Sequence, residues 1–139
     1  YIKPAVAELP PEVEVVTGEE DEYVEHAERG KLYRFGDAQW KERGVGLVKL
    51  LRHKETGKLR LLMRRDQIRK VCANHPVTAD LALRPLGGSD KALTYGTVDF
   101  SEDEPRKEVF CIRFKDNQTA QAFRSHVDRC LATPPDQAL

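Results

Sequence analysis

Residues 106–131 read RKEVFCIRFKDNQTAQAFRSHVDRCL. Apolar side chains recur first at every second position, Phe110, Ile112 and Phe114. Past Asp116 they return at three- and four-residue spacing, at Ala120, Phe123, Val127, Cys130 and Leu131. The first period belongs to a strand with one buried face, and the second to a helix with one apolar stripe. Asp116 or Asn117 can cap the helix, and Pro134-Pro135 stops it. Chain order is thus strand, then a terminal helix, with no alternation of the two.

Working back from this junction, the β-like runs are Lys31–Phe35, Val45–Lys54, Lys58–Arg65, Arg69–Val77, Leu81–Leu86, Ala92–Phe100 and Arg106–Lys115. Gly36–Gly44 reads as a loop holding Trp40, while Glu55-Thr56-Gly57, Gly87-Gly88-Ser89-Asp90 and Ser101–Pro105 read as turns. Seven strands followed by one C-terminal helix exclude a βαβ architecture and predict a small antiparallel barrel or sandwich closed by the helix, the plan of a pleckstrin-homology-like domain. Residues 23–133 hold this unit, between an extended arm at 1–22, where Pro4, Pro10 and Pro11 prevent helix, and a tail at 134–139. The arm either orders against a partner or stays disordered.

Strand parity places Val48, Leu50, Leu59, Leu61 and Met63 inside the first predicted hairpin. Lys49, Leu51 and His53, with Lys58, Arg60, Leu62 and Arg64, then face outward. A ring of cations around Leu51 and Leu62 suits an acidic amphipathic peptide. The alternative is that the chain's own loop or arm covers the two leucines.

Charge follows the same division. The net charge is zero. Residues 1–28 carry nine acids against one base, −8; residues 29–71 carry fourteen bases against four acids, +10; the remainder is −2. An acidic arm, in which Glu19, Glu20, Asp21 and Glu22 are consecutive, therefore precedes a basic body, and each can seek a charged partner.

No catalytic constellation is visible. Gly44-Val45-Gly46 is too short for a dinucleotide fingerprint, no phosphate-cradling loop occurs, and His26, His53, His75 and His126 are scattered. Cys72 and His75 have half of a metal-ligand spacing with no second pair, so neither metal nor cofactor is expected. Three distant cysteines, Cys72, Cys111 and Cys130, read as reduced thiols. No apolar run is long enough to span a membrane. The strongest local signal is Trp40-Lys41-Glu42-Arg43-Gly44: a Trp and an Arg in a polar setting are residue types that anchor interfaces, the other reading being a Trp folded back as a lid.

WKERG at 40–44, together with Leu59-Arg60-Leu61-Leu62-Met63-Arg64-Arg65 and Val71-Cys72-Ala73-Asn74-His75, resembles the Ran-binding domain family. Gly30–Phe35, Gly88-Ser89-Asp90 and Ile112-Arg113-Phe114 continue the match in the family's order, from about Thr17 to about Leu131. The lead-in, Pro4–Pro10 and Thr17–Glu22, is similar to the arms preceding these domains in a large nucleoporin of the cytoplasmic pore filaments. The resemblance implies a non-enzymatic module for the GTP-bound form of Ran. It would clamp the GTPase's acidic C-terminal segment on a basic patch while the acidic arm embraces its other side. It also implies help to GTPase activation and to disassembly of export complexes, with the Ran GTPase-activating protein and an export receptor as further partners. The expected location is the cytoplasmic face of the nuclear pore or the cytoplasm.

Trp40, Lys41, Glu42, Arg43 and Asn74 carry over as contact residues. Lys49, Arg60 and Arg64 are the patch chosen by parity, and Glu19–Glu22 the arm. The alternative function is a phosphoinositide- or peptide-binding domain of the same fold; nucleic acid and membrane insertion are not expected, since exposed aromatics are scarce and an acidic arm repels anionic lipid.

Overall fold

In the computed structural model, residues 18–132 are described; the first seventeen residues of the predicted arm and the tail at 134–139 lie outside them. Seven strands, β1 (Glu22–Gly36), β2 (Gln39–His53), β3 (Leu59–Arg64), β4 (Val71–Val77), β5 (Arg84–Pro85), β6 (Ala92–Asp99) and β7 (Arg106–Arg113), precede one helix, α1 (Asn117–Ala132). They form one antiparallel sheet in the order β4-β3-β2-β1-β7-β6-β5.

The parity reading holds at the core. Val48, Leu50, Leu59, Leu61, Met63, Phe110, Ile112 and Phe114 are all buried on one side of the sheet. The helix stripe Ala120, Phe123, Val127 and Cys130 closes over them, with Phe123 packed on Phe114 at 5.1 Å between ring centroids. Burying one such aromatic ring stabilises the fold by about 1.5–3 kcal/mol. The cap is Asp116, whose carboxylate accepts the Thr119 amide at 2.8 Å.

Three expectations are corrected. Gly36–Gly44 is not a loop: β1 and β2 are fifteen residues each, joined by a two-residue turn at Asp37-Ala38, so Trp40–Gly44 lies in β2. Both turn residues have left-handed φ, 53° and 63°, as the hairpin geometry requires. The Leu81–Leu86 run contributes only the two-residue β5, because Leu83 packs into the core from irregular backbone. Finally, Leu51 and Leu62 are 1% and 3% exposed, not solvent-facing, and Cys111, read as outward, is also buried.

Two bulges aim side chains. Glu25 in β1 and Arg43 in β2 lack cross-strand partners where the register shifts. Glu25 is thereby directed to the buried Arg52, at 2.6 Å. Arg52 also donates to the carbonyls of Gly57 and Cys130 at 2.9 and 3.0 Å, tying β1, the β2–β3 turn and the end of α1 together. Gly46 permits the close crossing beside Arg64, since a Cβ there would lie 2.1 Å from the Arg64 carbonyl oxygen.

Candidate partner-binding surface

The register of β2, β3 and β4 brings four of the sequence-chosen residues onto one face. Lys49 lies opposite Leu62, Leu62 opposite Asn74, and Leu51 opposite Arg60. Arg64 follows two residues beyond Leu62 on the same face. Arg60 reaches across to Asn74, its Nη1 donating to Oδ1 at 3.0 Å. Lys49, Arg60 and Arg64, with Asn74, thus form one basic strip.

That strip already holds carboxylates. Lys49 Nζ meets Glu19 Oε1 at 3.0 Å, and Arg64 Nε meets Glu19 Oε2 at 3.1 Å. Arg60 grips Glu22 with Nε and Nη2, at 2.8 and 2.6 Å. The Glu19 carboxyl is raised by burial, but the hydrogen bonds and charges of Lys49 and Arg64 outweigh this and hold its pKa below the ordinary 4.5. Of the acidic run, Glu19 and Glu22 thus face the chain's own body, while Glu20 and Asp21 are exposed. This closing segment, with the aliphatic stems of the cations, leaves no open apolar centre at Leu51 and Leu62.

The WKERG residues divide into two groups. Trp40 stands edge-on to its cross-strand neighbour Phe35, centroids 5.2 Å apart. With Tyr33, Ser89, Lys91 and Arg113 it lines an open groove of about 440 Å³. Lys41 and Glu42 are exposed and paired within the sheet, to Asp37 at 2.6 Å and to Lys31 at 3.4 Å. Arg43 turns inward: its Nε donates to the Cys72 carbonyl at 3.2 Å, and its Nη2 to Ser101 Oγ at 3.1 Å and Glu102 at 2.8 Å. Its side chain is 11% exposed, so it braces the β2 bulge.

Trp40 and Lys49 lie on the same strand, nine residues apart. At ~3.3 Å per residue that is about 30 Å, so the structure does not bring tryptophan and basic strip together. Tyr33, Lys91 and Arg113 were not among the expected site residues: Tyr33 and Arg113 lie in runs that match the family, but nothing local joins them, or Lys91, to Trp40. They meet only through the pairing of β1, β7 and β6.

A helix-capped antiparallel sheet that offers an aromatic groove and a carboxylate-holding strip defines a protein-binding domain of pleckstrin-homology type. The profile of the RanBP1 domain matches residues 14–133, and the chain belongs to that family, one of binding modules and not of catalysts. It is 46% identical over 127 residues to E3 SUMO-protein ligase RanBP2 of Homo sapiens, which covers 90% of this chain and 4% of the relative. With RANBP2-like and GRIP domain-containing protein 8 of Homo sapiens it shares 45% over 128 residues, 90% of this chain and 7% of the relative. The chain therefore spans only a small part of these curated relatives.

Among solved structures, the Ran binding domain of the nuclear complex component Nup2 from Ashbya gossypii superposes with a TM-score of 0.69 at 26% identity, covering 81% of this chain and 97% of that one. An EVH1 domain, that of Dm DCP1 in complex with the XRN1 DBM peptide, shares the fold alone, with a TM-score of 0.56 at 13% identity over 78% of this chain and 76% of that one.

Proposed function

We propose that this domain binds Ran in its GTP-bound form, within nucleocytoplasmic transport at the cytoplasmic face of the nuclear pore or in the cytoplasm. The binding unit is 23–133, with the acidic arm of 1–22 before it and the tail at 134–139 after it. The basic strip receives the acidic C-terminal segment of the GTPase, and the arm meets a basic surface on the same partner. Clamping that segment favours the GTP state and supports the activating protein and release from an export receptor. The domain supplies no catalytic group of its own.

One observation carries this reading. Lys49, Arg60, Arg64 and Asn74 share a face whose cations are already spaced to hold two carboxylates. Such electrostatic complementarity sets partner choice and association rate. The phosphoinositide alternative lacks a common pocket, because Arg43 is bound inside, Lys41 is paired to Asp37, and Lys49 lies eight residues further along β2. The test is capture of Ran loaded with a GTP analogue or with GDP. Capture of the GTP-analogue form alone is expected; equal capture of both, or of neither, refutes the proposal.

A further inference from the structure

The carboxylates on the basic strip belong to the chain itself, and they occupy the donors an incoming anion needs. Arg60 has five N–H donors in a fixed fork. Nε and Nη2 take Glu22, Nη2 also takes the Gly18 carbonyl at 3.0 Å, and Nη1 takes Asn74. Arg64 gives Nε to Glu19 and Nη1 to the Arg69 carbonyl. A second carboxylate cannot dock two-pronged on Arg60 while Glu22 stays. Two carboxylates on three cations also cancel most of the field that would draw an anionic chain in.

We infer that Gly18–Glu22 is an internal occupant of the strip, which a partner's acidic segment must displace, and that the displaced carboxylates are thereby presented to the same partner. The inference rests on the reading of the strip as an acceptor for an anionic segment. The segment lies outside the core cluster beneath α1, which its departure leaves intact. Glu22 is the first residue of β1 and pairs with His53 at the end of β2. Further ties of the segment include the Lys54 amide to the Asp21 carbonyl at 2.8 Å, Lys54 Nζ to the Glu20 carbonyl at 3.2 Å, and the turn bond from the Glu22 amide to the Glu19 carbonyl at 3.2 Å. Behind Glu22, Tyr23 and Val24 are half-exposed, so peeling the strand back as far as the Glu25 bulge pulls no buried apolar side chain of β1 out of place, and Leu51 and Leu62 beneath the segment, 1% and 3% exposed, are left for the incoming segment to cover.

The exchange selects for a two-part partner. An anionic peptide alone must open the segment, and its apparent affinity falls by the fraction of molecules that are open. A protein that offers an acidic tail and also a basic surface binds the freed acids and recovers the cost. Specificity then comes from requiring both charges on one partner.

The experiment measures binding of a fluorescein-labelled hexa-aspartate peptide at low salt to the 139-residue chain, to Glu19→Gln/Glu22→Gln, and to Arg60→Gln/Arg64→Gln. The glutamine pair is expected to bind about tenfold tighter than the unaltered chain, with an advantage that shrinks as salt rises. Binding by the glutamine pair equal to or weaker than the unaltered chain, while Arg60→Gln/Arg64→Gln binds none, overturns the internal-occupant inference and leaves the acceptor reading standing. Peptide that binds nothing, or binds Arg60→Gln/Arg64→Gln as well as the unaltered chain, overturns both. A measurement needing no variant is hydrogen exchange at the Lys54 amide of the unaltered chain. Saturating peptide is expected to accelerate it, and an unchanged rate rejects the displacement.

Discussion

His26 of β1 lies stacked on His126 of α1, ring centroids 4.1 Å apart and 16° from parallel. His26 Nε2 is buried without a hydrogen-bond partner, and the ring also tilts against Phe123. Burial, then the neighbouring His126 and Arg129, hold the His26 pKa below its ordinary 6.5, against the opposing pull of Glu28. His75 shifts the same way, chiefly by burial. It is set as a neutral ring, with Pro76 accepting from Nδ1 at 3.1 Å and Tyr95 donating to Nε2 at 2.8 Å.

A depressed histidine pKa means the unfolded chain binds more protons than the folded one below pH 6.5. The associated stability is complete above that value and is lost as pH falls through the lowered folded values. Melting temperature is therefore expected to drop between pH 7 and 5, before the carboxylates titrate. The Glu19 contribution runs in a lower window, present above 4.5 and lost as pH falls through its lowered folded pKa. His26→Gln should flatten the upper part of the profile. Thermal denaturation across this range decides it; a melting temperature that rises on acidification contradicts the assignment.

Arg52 is 2% exposed and satisfies acceptors from three separate elements. Arg52→Met is expected to cost about 3 kcal/mol, because it strands Glu25 and two carbonyls. Urea denaturation measures this, and a loss within 0.5 kcal/mol, the ordinary range for surface changes, would show that the three-way tie is not holding the helix end.

Trp40 and Arg43 should separate binding from folding. Trp40→Ala is expected to weaken Ran-GTP binding by about 2 kcal/mol or more, a roughly thirtyfold rise in Kd. Its stability cost should be smaller, since mainly the edge contact with Phe35 is lost. Arg43→Ala should do the reverse, lowering stability by unpairing the Cys72 carbonyl and Glu102. Calorimetric titration and denaturation on both variants test the contrast.

Gly46→Ala places a methyl 2.1 Å from the Arg64 carbonyl oxygen, so backbone must move. A destabilisation of about 1–3 kcal/mol is expected, read as a lower urea midpoint. An unchanged midpoint would mean that β2 and the turn beyond β3 are not held in this close crossing.

The strand and helix periods at 106–131 were legible because large apolar side chains mark one face of each element, and the same parity found Lys49, Arg60 and Arg64. The β1–β2 hairpin was not legible. Ala38 is an unfavourable residue for a left-handed turn position, and only the long ladder around it, including Phe35 against Trp40, holds it there. For Leu51 and Leu62 parity left two alternatives, exposure within a cationic ring or cover by the chain itself, and the choice between them was not legible. Both leucines are buried, on a face where Glu19 and Glu22 lie 45 and 38 positions from the arginines they meet, and no local pattern encodes that distance.

The outer rim of β4 is blunted by two devices. Pro76 brings no N–H, and the Asp99 carboxylate takes the Asn74 amide at 2.8 Å while the Phe100 amide takes the Asn74 carbonyl. A strand sealed like this is a poor template for foreign backbone. Along this edge a neighbouring protein cannot add a strand of its own, and contact there is left to side chains.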